Sequence, residues 1–180
     1  MRNLIDKINE NKEYVINLRR YFHENPELSW KEVNTSKRIQ KELDEMGIDY
    51  EVVKDIGVIG HIKGKKEGKR LGIRADIDAL PVKEETGLDF ASKNEGVMHA
   101  CGHDAHISIL LGAAKILNDL KEELNGEILV IFQPAEEYIQ DSGAKYLSQI
   151  PEIKNLDRII GLHIWGDIES GKASLNEGPI

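Results

Sequence analysis

The sequence predicts an α/β fold, with a mixed and largely parallel sheet and helices on both of its faces. Segments with helical periodicity alternate along the chain with short runs of β-branched residues. Two of these runs, EILVIF at 127–132 and RIIGLHI at 158–164, have the length and composition of buried central strands. The 180 residues are enough for one domain with a core of its own.

Two helices are predicted at the start of the chain. The first has one apolar face and is expected to end before Pro26; that face is formed by Leu4, Ile8, Val15, Leu18 and Phe22. The second follows Ser29 and Glu32, whose spacing is that of a capping box, and is expected to end at Gly47.

The middle of the chain predicts a series of strands with a hairpin, followed by a buried helix. The strand candidates, separated by glycine-rich turns such as KGKKEGK at 63–69, are YEVV at 50–53, VIGHI at 58–62 and LGIRADI at 71–77. Residues 107–120 are apolar on most faces, which indicates a helix packed against the sheet. A shorter helix is predicted near residues 142–149.

Composition excludes several classes of function. With 24 basic and 32 acidic side chains the formal charge is −8, which opposes binding to nucleic acid or to an anionic membrane surface. No segment approaches the roughly 18 apolar residues of a membrane-spanning helix. Cys101 is the only cysteine, and the N-terminus is too charged for a signal peptide, so a cytoplasmic location is predicted.

Residues 99–106, HACGHDAH, concentrate side chains that can bind metal. Cys101 and His103 stand just before the buried helix, and Gly102 between them allows the backbone to bend so that thiolate and imidazole converge. Both ligand types suit zinc and the neighbouring transition metals.

Two further groups of metal-capable side chains follow predicted strands. Glu136 and Glu137 follow EILVIF after three intervening residues, and His163 lies near the end of RIIGLHI. Ligands of open α/β sheets bind beyond the carboxyl ends of the strands, so these groups are expected to meet. Two adjacent carboxylates there can have different roles, one as a metal ligand and the other as a proton-transfer group.

A thiol hydrolase is the alternative interpretation of the same stretch. Cys101 has His99, His103 and His106 beside it in sequence, and a thiolate with an imidazole base is a known nucleophilic pair. Sequence neighbours rarely form such a dyad, however, and this interpretation leaves the two glutamates and His163 without a role. The metal interpretation is therefore favoured.

Five motifs resemble those of one enzyme family. They occur in the family's order: RRYFHENPELSWKE at 19–32, RADIDALP at 74–81, HACGHDAH at 99–106, FQPAEE at 132–137 and GLHIW at 161–165. The sequence is similar to the metal-dependent N-acyl-amino-acid amidohydrolases, related to aminoacylases. This family of metallopeptidases includes hippurate hydrolases, auxin-conjugate hydrolases, N-acetyldiaminopimelate deacetylases and thermostable carboxypeptidases. The resemblance implies a zinc-peptidase-like catalytic domain.

The resemblance also implies roles for individual residues. Two divalent ions, zinc, manganese, cobalt or nickel, would be held by Cys101, His103, Glu137 and His163, with Cys101 as the bridging ligand. Glu136 would act as general base for a metal-activated water that attacks the amide of an N-acyl amino acid.

Other polar residues near the motifs are expected to play supporting or structural roles. Asp76 is expected to support the site by hydrogen bonding at most, because Arg74 stands where relatives in the wider superfamily have a histidine ligand. His106 either supports the site by a hydrogen bond or has a capping or packing role. His23 and His61 are expected to be structural.

Members of this family are longer than this chain. The resemblance implies that residues 1–180 are the first segment of the catalytic domain, and that a lid or dimerisation domain and a returning segment with a further histidine ligand would follow NEGPI at 176–180. A full-length parent would be a homodimer. The isolated chain is expected to bind metal weakly and to hydrolyse little. The alternative is a non-catalytic metal-binding fragment of a truncated gene product.

Overall fold

The computed structural model describes residues 2–175, so the predicted junction at 176–180 lies outside the described residues. The helices are α1 Arg2–Glu10, α2 Lys12–Glu24, α3 Val33–Met46, α4 His103–Asp119, α5 Gly143–Leu147 and α6 Pro151–Lys154. The strands are β1 Asp49–Val53, β2 Gly57–Lys63, β3 Lys66–Asp76, β4 Asn125–Gln133 and β5 Arg158–Gly161. None of the described helices is long and apolar enough to cross a membrane.

The five strands form one mixed sheet in the order β1-β2-β4-β3-β5. β3 pairs in parallel with both β4 and β5, whereas β2 pairs antiparallel with both β1 and β4. Four of the strands therefore share one direction and only β2 opposes them. The predicted mixed α/β sheet is confirmed, although its antiparallel pairings are as numerous as its parallel ones.

Helices cover both faces of the sheet, as predicted. Val130 and Phe132 of β4 point into a core formed with α2, α3 and α4. Leu129 and Ile131, which alternate with them, pack on the other face against Leu147 of α5. This alternation follows from the pleat of a strand, which sends successive side chains to opposite faces.

The first predicted helix is interrupted. The Asn11 side chain donates a hydrogen bond to the Lys7 carbonyl (2.8 Å), and the helix is divided there into α1 and α2. The predicted end of α3 is confirmed, because Gly47 adopts the left-handed conformation (φ 65°) in which a glycine C-cap is favoured.

The predicted capping box is wrong. Ser29 and Glu32 make no side-chain cap to α3, and the carboxylate of Glu27 instead accepts hydrogen bonds from the backbone N–H groups of Asn34 (3.2 Å) and Thr35 (2.8 Å). The spacing of a capping box is satisfied in the sequence, but partners elsewhere in the fold compete for both side chains.

The hairpin joins β1 and β2, through a turn in which Lys54 and Asp55 have positive φ. The glycine-rich segment 63–69 does not close a hairpin, because β4 lies between β2 and β3. The close approach of that segment to β4 is instead secured by a hydrogen bond from the Gly64 N–H to the Gly126 carbonyl (2.8 Å).

The prediction of a buried central strand at 158–164 is wrong for this chain. β5 covers only residues 158–161, lies at an edge of the sheet beside β3, and is exposed along its whole length. Ile159 and Ile160 are 56% and 51% exposed. The apolar composition therefore reflects a surface that the described residues leave uncovered.

Candidate metal centre

The site lies beyond the carboxyl ends of three adjacent strands. Asp76 at the end of β3 is in register with Gln133 at the end of β4, and Arg74 is in register with Gly161 of β5. The segments that follow these strands therefore leave the sheet at one edge, next to the first turn of α4. The three groups of metal-capable side chains therefore lie close together, as the sequence predicts.

Gly102 provides the bend that the sequence predicts between Cys101 and His103. It has φ 82° and precedes α4, which begins at His103, inside the motif rather than after it. The thiol sulfur of Cys101 lies 3.5 Å from Nε2 of His163, a residue 62 positions further along the chain. The bend thus directs the thiol toward the third group of predicted ligands.

His103 stands at the centre of the site and is fully buried. Its Nδ1 lies 2.8 Å from the carbonyl oxygen of Asp78, so Nδ1 donates, and in the neutral imidazole Nε2 presents a lone pair. Nε2 lies 3.8 Å from Oε2 of Glu136 and 3.8 Å from Oε1 of Glu137.

Nε2 of His103 and Oε1 of Glu137 are both buried, and neither has a hydrogen-bond partner among residues 2–175. Leaving such atoms unpaired is unfavourable, and a cation between them would satisfy both. The donor set of thiolate, imidazole and carboxylate is one that zinc and its neighbours accept. The residues therefore fit a metal ion.

In the part of the chain that the structure describes, three overlapping groups of side chains have donor atoms that lie within 4.8 Å of one another. They are Cys101 with His103 and His163, His103 with Glu136 and Glu137, and Asp76 with His103 and His106. His103 belongs to all three groups. The four predicted ligands and the predicted base are thus brought together around one imidazole.

The two glutamates differ in exposure. The side chain of Glu136 is 39% exposed and that of Glu137 is 24% exposed. Burial, followed by the negative charge of Asp76, raises the pKa of Glu136. Glu136 is therefore the carboxylate more accessible to a molecule entering from solvent.

The thiol-hydrolase alternative gains no support from the surroundings of Cys101. Burial, with the neighbouring Glu137 carboxylate, raises the pKa of the Cys101 thiol to about 12. A cysteine nucleophile needs a lowered pKa, which cationic neighbours usually provide. The imidazole within hydrogen-bond reach of the sulfur is that of His163, and not one of the three histidines beside Cys101 in sequence.

Asp76 is hydrogen-bonded to His106, which in turn is hydrogen-bonded to the segment that carries His163. Oδ1 of Asp76 lies 2.5 Å from Nδ1 of His106, whose Nε2 accepts the backbone N–H of Ile164 (2.9 Å). Burial favours a raised pKa for Asp76, but the hydrogen bond from His106 and the charges of His103 and Arg74 lower it to about 2. Both nitrogens of His106 are occupied in this arrangement.

Asp78 supports the site, and sequence reasoning did not single it out. Its carbonyl accepts from His103, and its Oδ2 accepts the hydroxyl of Ser29 (2.7 Å) and the backbone N–H of Glu137 (3.0 Å). The available signal was the second aspartate of RADIDALP, two residues after Asp76 and just beyond β3. Its role depends on partners at distant positions, which the motif itself does not specify.

Gly143 permits a close approach at the loop that carries the two glutamates. A Cβ at this position would overlap the carbonyl oxygen of Pro134. Gly143→Ala is therefore expected to lower the free energy of unfolding by about 1–3 kcal/mol and the metal affinity by about tenfold, as measured by urea denaturation and metal titration. Gly166→Ala, where nothing lies within 4 Å of the added carbon, is the control. Equal effects of the two substitutions would contradict this explanation.

The profile of Peptidase family M20/M25/M40 matches residues 72–178, more than half of the chain and all the predicted metal ligands. The chain belongs to this family. The resemblance inferred from the five motifs is thereby confirmed.

Curated M20 relatives are similar over nearly the whole chain. Thermostable carboxypeptidase 1 of Saccharolobus solfataricus is 45% identical over 98% of this chain, and the N-acyl-L-amino acid amidohydrolase of Geobacillus stearothermophilus is 40% identical over 100% of it. The matches cover 46% and 48% of those proteins. The chain thus spans about half the length of the curated relatives it matches.

Solved structures share the fold. The YXEP protein of Bacillus subtilis, described as a dinuclear metal binding peptidase, superimposes with a TM-score of 0.88 at 44% identity, covering 93% of this chain and 47% of that one. An aminobenzoyl-glutamate utilization protein of Klebsiella pneumoniae superimposes with a TM-score of 0.70 at 22% identity, covering 90% and 46%. The second likeness shows the fold alone.

Proposed function

We propose that this chain is part of a metal-dependent hydrolase that cleaves the amide bond of N-acyl amino acids or amino-acid conjugates. The observation that carries the proposal is the meeting of four metal-capable side chains with a second, more exposed carboxylate at one edge of the sheet. The substrate class is supported by the relatives, which include a carboxypeptidase, an N-acyl amino acid amidohydrolase and an N-acetylcysteine deacetylase.

In this proposal Cys101, His103, Glu137 and His163 would hold two divalent ions. Zinc, manganese, cobalt or nickel bound there would supply the Lewis acidity that polarises an amide carbonyl and lowers the pKa of water. The description of the Bacillus subtilis structure as dinuclear supports the number of ions.

Glu136 has the proton-transfer role. Its carboxylate accepts a proton from the water that attacks the amide carbonyl, and delivers that proton to the nitrogen of the leaving amine. The exposed position of the side chain supports this role, because substrate enters from solvent. Asp76 and His106 support the site by holding the backbone beside His163, and Asp78 does so by holding His103 and Glu137.

We further propose that residues 1–180 are the first segment of a catalytic domain that is completed by further polypeptide. The exposed apolar side chains near β5 support this proposal; they are Ile159, Ile160, Leu162, Ile164 and Trp165. The remaining polypeptide would cover them, supply the missing histidine ligand and form the homodimer contact. The isolated chain is then expected to hydrolyse little.

Metal content gives the first test of the proposed ligands. With manganese or zinc in excess, the isolated chain is expected to bind metal weakly but measurably by elemental analysis at equilibrium, and Cys101→Ala to bind clearly less. Glu123→Ala is the control, because this carboxylate belongs to an adjacent acidic pair beyond the far end of α4. Equal metal in wild type and Cys101→Ala would contradict a role for the thiol as ligand.

Turnover is tested in a chimera in which this chain replaces the matching residues of the Geobacillus amidohydrolase. The chimera is expected to release free amino acid from N-acetyl amino acids when loaded with metal. Metal binding without turnover in the chimera would favour the alternative, a non-catalytic metal-binding fragment, which the half-length match to the relatives also permits.

A further inference from the structure

Glu32 makes a hydrogen bond to the loop that carries the two site glutamates. Its side chain is completely buried, and Oε1 accepts the backbone N–H of Ala135 at 2.7 Å. Ala135 directly precedes Glu136 and has φ 49°, in the left-handed region that residues other than glycine rarely adopt. Such a conformation persists only where the surroundings hold it.

A second buried carboxylate, that of Asp78, holds the same loop two residues further on. Oδ2 of Asp78 accepts the N–H of Glu137 at 3.0 Å and also the hydroxyl of Ser29 at 2.7 Å. The N–H groups on either side of Glu136 are therefore both fixed by buried carboxylates. Residues 29–32 contribute to both contacts.

Trp30 extends the contact between residues 29–32 and this loop. Its Nε1 donates to the carbonyl oxygen of Asp141 at 2.7 Å, just before α5. Residues 29–32, which the sequence predicts as a helix cap, thus support the loop that carries Glu136 and Glu137 at three points, through Ser29, Trp30 and Glu32.

A purely stabilising role does not explain a carboxylate at this position. Oε2 of Glu32 is buried and has no hydrogen-bond partner among the described residues. A buried carboxylate without a cationic partner costs stability, which an apolar residue of similar size would avoid. The contact that distinguishes Glu32 from such a residue is the one with Ala135.

We propose that Glu32 is a positioning residue, which fixes the left-handed turn at Ala135 and thereby holds both Glu136 and Glu137 within 3.8 Å of Nε2 of His103, with Glu136 the more exposed of the two. This inference rests on the proposed function for the roles of the two glutamates. The geometry of the turn itself does not depend on metal or activity.

Hydrogen exchange in the metal-free chain tests the positioning. Glu32→Ala is expected to accelerate amide exchange at Ala135 at least about tenfold, because this N–H loses its partner. A smaller acceleration is expected at Glu137, whose N–H keeps its bond to Asp78 but loses the support of the turn. Glu32→Gln is expected to restore protection, since its amide oxygen accepts the same N–H.

Glu42→Ala is the matched control for this experiment. Glu42 is also a buried carboxylate and lies within α3, but it accepts from Tyr14 and Arg38 and is not hydrogen-bonded to the loop. The control is expected to destabilise the chain without selective exchange at 135–137. Exchange that is unchanged in Glu32→Ala, or equally accelerated in Glu42→Ala, would overturn the proposal.

Metal affinity provides the functional readout. Cobalt titration, followed by the thiolate-to-metal absorption of Cys101, is expected to show about 10- to 100-fold weaker binding in Glu32→Ala and no change in Glu42→Ala. In the chimera, Glu32→Ala is expected to lower kcat more than it changes KM.

The two proposals fail in distinguishable ways. A wild-type chain and chimera that bind no metal would refute the proposed function, while the exchange data would still decide the role of Glu32. Metal binding and exchange that are both insensitive to Glu32→Ala would refute the positioning role and leave the proposed function standing.

Discussion

Glu136→Gln is expected to lower the turnover of the chimera by about 10²- to 10⁴-fold, the usual contribution of a general acid or base. The amide has nearly the size of the carboxylate but cannot accept the proton of the attacking water. Metal content is expected to stay unchanged, because Cys101, His103, Glu137 and His163 all remain. The measurements are the rate of amino acid release and elemental analysis of the same samples.

Glu137→Gln is the matched comparison, because Glu136 and Glu137 lie at the same distance of 3.8 Å from Nε2 of His103. Distance alone therefore does not separate a ligand from a base. Glu137→Gln is expected to lose metal and turnover together. If Glu136→Gln also released metal, the proposed division of work between the two glutamates would be wrong.

The central elements of the fold could be predicted because their residues are dominated by burial. Leu129, Val130, Ile131 and Phe132 of β4 are all buried, so an apolar run of this length indicates a central strand without further information. The apolar surface of α4 likewise predicted that this helix packs against the sheet. The helix begins four residues earlier than predicted, because its start depends on the bend at Gly102.

β5 shows what apolar composition does not specify. Ile159 and Ile160 have the character of buried residues, yet both are exposed at the sheet edge. Composition indicates that a residue is suited to burial, but it does not say which polypeptide covers it. The order of the strands could not be predicted either, because nothing in residues 63–69 indicates that β4 lies between β2 and β3.

The candidate site was predicted as far as its residue types allowed. Cys101, His103 and His163 stood out because cysteine and histidine at strand or helix ends have few structural explanations. Glu32 and Ser29 were misinterpreted, since a local spacing rule was satisfied while their actual partners, Ala135 and Asp78, lie 103 and 49 positions away. Only the fold brings those partners together.

Glu32 is also expected to make the stability of the metal-free chain depend on pH. Burial, reinforced by the negative charges of Asp78 and Glu27, raises the pKa of Glu32 from 4.5 to about 7, against the hydrogen bond from Ala135, which lowers it. Between these pH values the folded chain holds a proton that the unfolded chain releases. The free energy of unfolding therefore falls as pH rises through this window, by about 3 kcal/mol in all, and this contribution is constant above it.

Glu32→Gln has no titrating group at this position, so it is expected to lack this fall in the free energy of unfolding with rising pH. The difference in unfolding free energy between the variant and the wild type should grow by about 3 kcal/mol in favour of the variant from pH 4.5 to pH 8. Urea denaturation with a chelator present measures it, and taking the difference cancels the other titrating groups. Parallel declines of the two proteins would contradict the raised pKa. A widening gap would mean that the ionised Glu32 costs the fold stability at neutral pH, so that its contribution lies in holding Ala135 rather than in stabilising α3.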